Sequence, residues 1–107
     1  MRMWLINPKM LCRQHLLGEH YELHVLVSNL RHSGKWARAL VSGGYLEPQN
    51  ALARHDKLAE EMHRRGYRHD SELSVDGLAL PEGKVDVARS VRDLKGRCAE
   101  CRRRMRI

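Results

Sequence analysis

Cys12, Leu16, Leu23, Val27 and Leu30 fall on one narrow stripe when residues advance by about 100° each, the step of an α-helix. A helix that long, apolar on one face, must bury that face against other elements. The segments after it read as helices too. Asn7-Pro8 has the form of an N-cap followed by Pro at the first helical position, so the first helix is expected from Pro8 to about Arg31, ended by Ser33-Gly34. Lys35 to Ser42 suits a short second helix with Trp36, Ala39 and Leu40 on its apolar side, stopped by Gly43-Gly44. Pro48 suits the start of a third, which repeats at Ala51, His55, Leu58 and Met62 and ends at Arg64-Arg65-Gly66, cations followed by a glycine.

Residues 67–84 carry turn signals at Asp76-Gly77, Pro81 and Glu82-Gly83 and read as a loop pinned by Leu73, Val75, Leu78 and Leu80. From about Val85 a last helix is expected, with Val87, Val91, Leu94, Cys98, Cys101 and Met105 in one stripe that Gly96 weakens. No region alternates with period two. The expected fold is therefore all-α: a small single-domain bundle of about three main helices with short connecting helices and loops, spanning 1–107, with 99–107 a basic tail able to fray.

Twenty Lys and Arg against thirteen Asp and Glu give a formal charge of +7. A small domain this basic points to a polyanion, nucleic acid first. The absence of Phe argues against an RNA-binding sheet with stacked aromatic platforms. No apolar run is long enough to span a membrane, and Asn7, Pro8, Lys9 and Arg13 interrupt any signal-peptide core, so a cytoplasmic protein is expected. Three cysteines, an odd number, do not suggest a disulfide framework.

The densest chemistry lies in 13–24. His15, Glu19 and Glu22 share one flank of the first helix, where a carboxylate beside a half-buried imidazole can move protons. A surface pair at i,i+4 spacing is the plainer reading. His20 and His24 have a metal-capable spacing, but Tyr21 stands where a zincin has Glu, so histidines at the core edge are the better reading. Cys98-Ala-Glu-Cys101 looks like half of a zinc knuckle. No second pair stands at a matching spacing, and both cysteines continue an apolar stripe, so buried thiols are expected and no metal. His55 is either a core histidine or a side chain reaching the His15–Glu22 pocket. Neither a phosphate-binding loop nor a serine nucleophile elbow is present. The cations Arg2, Lys9, Arg13, Lys35, Arg38, Arg54 and Arg64, grouped at helix ends, could track a phosphate backbone.

Gln14-His15-Leu16, then Glu19, then Glu22-Leu23, resembles the catalytic helix of the pyrimidine-dimer DNA glycosylase family, the phage endonuclease V type, in order and spacing. Leu5-Ile6-Asn7 resembles the family's opening segment, and Arg54 through Arg65-Gly66-Tyr67 its long later helix. The resemblance covers roughly the first 70 residues; the last third has no counterpart. It implies an all-α DNA glycosylase and abasic-site lyase that works without metal or organic cofactor on double-stranded DNA bearing a damaged or modified base. The N-terminal α-amine attacks C1′, a Schiff base forms, and β-elimination cuts the strand.

Carried onto this sequence, the amine is that of Met1, the glutamate is Glu22, the histidine is His15 and the N-terminal basic residue is Arg2. Glu19, Tyr21 and His55 are expected around the pocket, and a monomer is expected. A free α-amine ordinarily titrates at about 7.7–8.0, which leaves a nucleophilic fraction at neutral pH that lysine lacks. This chain departs from the family where a Thr amine is exposed by loss of the initiator Met. Arg2 is too large for that removal, so Met1 stays, at the matching distance from His15. The family's arginine before the glutamate is Tyr21 here, and Val25 and Leu26 stand where a further basic residue is found. These departures leave the lesion open, and Lys9 is an alternative amine. The rival readings are a non-catalytic helical DNA-binding module and a metal enzyme on His15, His20 and His24.

Overall fold

The computed structural model describes residues 1–69 and 71–106. Helices α1 (Arg13–His32), α2 (Lys35–Ser42), α3 (Ala51–Arg64), α4 (Val87–Arg97) and α5 (Ala99–Arg104) follow one another, with no strand among the described residues. The expected all-α bundle is what forms. No helix among the described residues is long and apolar enough to cross a membrane.

α1 is the spine. It packs mainly on α3, with α2 folded back against its end. Leu16, Leu23, Leu26 and Val27 face the core, together with Leu58 and Met62 of α3. Each buried leucine contributes about 1.5–3 kcal/mol. The turn into α2 is fixed by the Asn29 side chain, whose Oδ1 accepts from the Ala37 N–H at 3.0 Å. Gly34 supplies the left-handed backbone (φ 70°) that this tight connection requires.

Two boundaries differ from expectation. Asn7-Pro8 caps only a single 3-10 turn, Pro8–Met10. The chain then extends at Leu11, which is fully buried, and α1 starts at Arg13 with the Cys12 sulfur accepting from the His15 N–H. Burying Leu11 outweighs continuing the helix. The last helix is also two, not one. Cys98 is extended (φ −131°, ψ 110°), and its sulfur caps the start of α5 by accepting from Cys101 N–H at 3.4 Å. The break lets α5 turn onto the Pro8–Met10 segment, so the expected fraying tail is a docked helix through Arg104.

The N-terminal lead is held along its length. Met3, Trp4 and Ile6 are buried, and Met3 N–H donates to the Tyr45 carbonyl at 2.8 Å. Leu5 sits in left-handed backbone (φ 57°), a kink that lets both Trp4 and Ile6 reach the core. Arg54 Nη1 donates to the Ile6 carbonyl at 2.7 Å, while its Nε and Nη2 clasp the Glu19 carboxylate at 2.6 and 2.9 Å. This buried fork ties the lead, α1 and α3 together.

Residues 67–69 and 71–86 form a loop, as the turn residues imply. Arg31 donates to the carbonyls of Ser74 and Asp76, and the Gln49 side chain pairs with both backbone groups of Gly83. Only glycine fits at 83, because a Cβ there would stand 2.1 Å from the Leu46 carbonyl oxygen.

Candidate active site

The kinked lead delivers its first residues to the flank of α1. Met1, Arg2, Trp4, Gln14, His15, Gly18, Glu19, Glu22 and Arg97 line one cleft of about 320 Å³. The Arg2 backbone N–H donates to Glu22 Oε2 at 3.3 Å, so the acidic side chain lies one residue from the chain's first nitrogen. A second cavity of about 430 Å³ shares Met1, Arg2 and Arg97 with the cleft and adds Tyr45, Arg89 and Asp93.

Positive charge is arranged around this space. Arg2 lies over the Trp4 ring at 4.1 Å and is anchored to Asp93 at 3.1 Å, with Ser90 as a further partner. Arg97 also lies over the Trp4 ring, 5.4 Å from its centroid. The ordering of Arg2 by an aromatic face and a carboxylate fixes a cation beside Glu22.

His15 meets Trp4 edge-on, with ring centroids 6.0 Å apart. Burial, then the Arg97 charge, lowers its pKa, and Glu22 partly opposes them, so the neutral ring is favoured. Its Nδ1 faces sulfur: Cys12 Sγ at 3.2 Å and Cys101 Sγ at 3.5 Å. Glu19 lines the cleft but is almost wholly buried; burial raises its pKa while the hydrogen bonds and charge of Arg54 oppose the rise.

Several residues expected at the site lie elsewhere. Arg54 is 5% exposed and bound to Glu19 and Ile6, which leaves its guanidinium no path to a phosphate. It sets the lead's position instead. His55 does not line the cleft; it is buried against His20, His24 and His69 on the α1–α3 seam. Tyr21 is 68% exposed and outside the lining. Lys9 lies with Lys57 and Arg64 around a different cavity, and Arg64 is held by Glu61. Arg13, Lys35 and Arg38 are exposed, with Arg13 over the Tyr67 ring.

The set His15, His20 and His24, a metal site on paper, divides in two. His15 joins Cys12, Cys98 and Cys101; His20 and His24 join His55. Both groups bring ligand atoms close enough for a metal. Sequence reasoning missed Trp4 and Arg97 as site residues. Arg97 lies outside the resembling stretch and nothing in its local sequence marks it.

Among known proteins, a family model described as pyrimidine dimer DNA glycosylase matches residues 1–75. No curated protein and no solved structure matches the chain.

Proposed function

The chain belongs to the pyrimidine dimer DNA glycosylase family, and from that membership we propose a glycosylase and abasic-site lyase whose nucleophile is the Met1 α-amine and whose acid–base group is Glu22. The observation that carries this reading is the shared cleft, with Arg2 N–H on Glu22 at 3.3 Å and Met1 beside it.

In this mechanism the unprotonated amine attacks C1′ of the target nucleotide, and the C1′–base bond breaks with the electron pair leaving on the base. Opening of the sugar ring at C1′–O4′ gives an iminium, the ring oxygen taking a proton. Removal of a proton from C2′ then expels the 3′ phosphate and cuts the strand. Glu22 as carboxylate stabilises the developing positive charge and relays the protons. Arg97, exposed at the cleft wall, meets the flanking phosphates, and the anchored Arg2 adds positive charge beside it. A base stacked in a duplex hides C1′, so the nucleotide or its partner must leave the stack. His15, neutral, offers the cleft a hydrogen-bonding ring nitrogen.

Borohydride should trap a covalent complex between the protein and a duplex carrying one abasic site. Glu22→Gln should lower strand cutting by about 10²-fold or more. Acetylation confined to the α-amine should abolish trapping, and Lys9→Arg should leave it intact. Salt-sensitive DNA binding without trapping or cutting of any lesion would leave a binding module and overturn the reading.

A further inference from the structure

We propose that Cys12, His15, Cys98 and Cys101 bind one zinc ion, joining the C-terminal helices to α1 beneath the cleft. Two residues lie between the members of each pair, and Cys98 stands 86 positions after Cys12. The fold brings them together, with one ligand atom from each lying within 4.8 Å of all the others. A tetrahedral zinc with bonds of about 2.3 Å to sulfur and 2.0–2.1 Å to nitrogen has sulfur–sulfur edges of about 3.8 Å and sulfur–nitrogen edges of about 3.5 Å. The separations here are 3.9 Å for Cys12 Sγ to Cys98 Sγ, and 3.2 and 3.5 Å from His15 Nδ1 to the sulfurs of Cys12 and Cys101.

The surroundings suit thiolates. Backbone N–H groups of Cys12, His15 and Cys101 donate to the sulfurs of Cys101, Cys12 and Cys98 at 3.2–3.4 Å. Three thiols and an imidazole form a closed donor set with no position left for water, the composition of a structural zinc site. The extended Cys98 that splits α4 from α5 is what aims its sulfur at Cys12. Zinc on Nδ1 also leaves Nε2 as the His15 nitrogen available to the cleft, and it fixes Arg97, the residue before Cys98, at the cleft wall. The site stands independently of the glycosylase reading.

Protein purified without added metal should carry zinc retained through gel filtration. Replacement by Co(II) should give an intense near-ultraviolet thiolate-to-cobalt band and tetrahedral visible bands. Cys98→Ser should weaken the thiolate band by about one third, in keeping with three thiolates. Stripping the metal should raise amide hydrogen exchange in α4 and α5 more than in α3. A wild-type protein whose cobalt form lacks the thiolate band, or whose cysteines are isolated as a disulfide, overturns the proposal, and that result needs no variant to fold.

A second donor cluster rests on separate observations, and we infer a second transition-metal site at His20, His24 and His55. The three rings lie 4.5–5.2 Å apart between centroids, and His69 approaches His20 at 4.7 Å. The Nε2 atoms of His20, His24 and His69 are buried without a hydrogen-bond partner among the described residues. Buried polar atoms are rarely left so, and converging imidazoles suit Zn(II), Ni(II), Cu(II) or Fe(II). The Asp56 carboxylate accepts from His55 Nδ1 at 3.0 Å, which leaves Nε2 as the ligating nitrogen, the metal taking the place of its 3.2 Å contact with the Ser71 carbonyl. Native mass spectrometry with Zn(II) or Ni(II) should show a second metal that Cys98→Ser keeps and His24→Gln loses. A protein that takes up one metal only, lost in Cys98→Ser and kept in His24→Gln, overturns it.

Discussion

Arg54 shows how a residue's role depends on what it is buried beside. Its three polar contacts reach Glu19 and the Ile6 carbonyl, so removing it strands a buried carboxylate and a carbonyl together. Arg54→Leu should cost about 3–5 kcal/mol in urea unfolding, and Glu19→Leu a similar amount. The double replacement should cost clearly less than the sum, because it removes both charges at once. Additive losses would mean that the fork contributes no coupling. Glu61 gives a prediction in pH. Hydrogen bonds from Arg64, and then from Arg65, hold its carboxyl at about 2, below the ordinary 4.5. Above pH 4.5 the group is ionised folded and unfolded, and its full contribution is present. As pH falls from 4.5 toward 2, the unfolded chain binds the proton first and that contribution is lost. With Arg64 57% exposed to screening solvent, the loss is about 1–2 kcal/mol. Glu61→Gln should flatten the acid limb of the stability curve over that window.

At the scale of elements, α4 is attached by few side chains: Ser90 and Leu94 are fully buried, and Leu94 is the apolar one of the two. Leu94→Ala should cost about 2–4 kcal/mol, while Val87→Ala, at a position 43% exposed, should be close to neutral in the same thermal melts. The period of α1, the short α2 and the Pro48 and Gly66 ends of the α3 region were legible because each is written locally. The break at Cys98 was not, because the apolar stripe runs through it unbroken and only the pull toward Cys12 and α5 capping separates the helices. The Cys12–His15 pair was equally hidden. Its likeness to Cys98–Cys101 becomes visible only when folding places the ends of the chain side by side. Arg54 looked like a surface cation since nothing in its neighbours announces the Glu19 carboxylate across the α1–α3 seam.

For the whole molecule, the family match ends at residue 75, yet the cleft does not. Arg97 comes from beyond it and stands with Met1, Trp4 and Glu22. The candidate site was therefore readable as far as Met1, His15, Glu19 and Glu22, which sit in the matched part, and unreadable where the last third supplies a wall. The anchoring of the lead has a practical outcome. Arg2 and Met3 are both fastened by their backbone N–H groups, which holds Met1 at the cleft. Under the proposed mechanism, an affinity tag fused before Met1 would turn the attacking amine into an amide and put added peptide at the cleft. Such a preparation should melt at the temperature of the untagged protein and yet give no borohydride adduct, whereas protein tagged after residue 107 should give one.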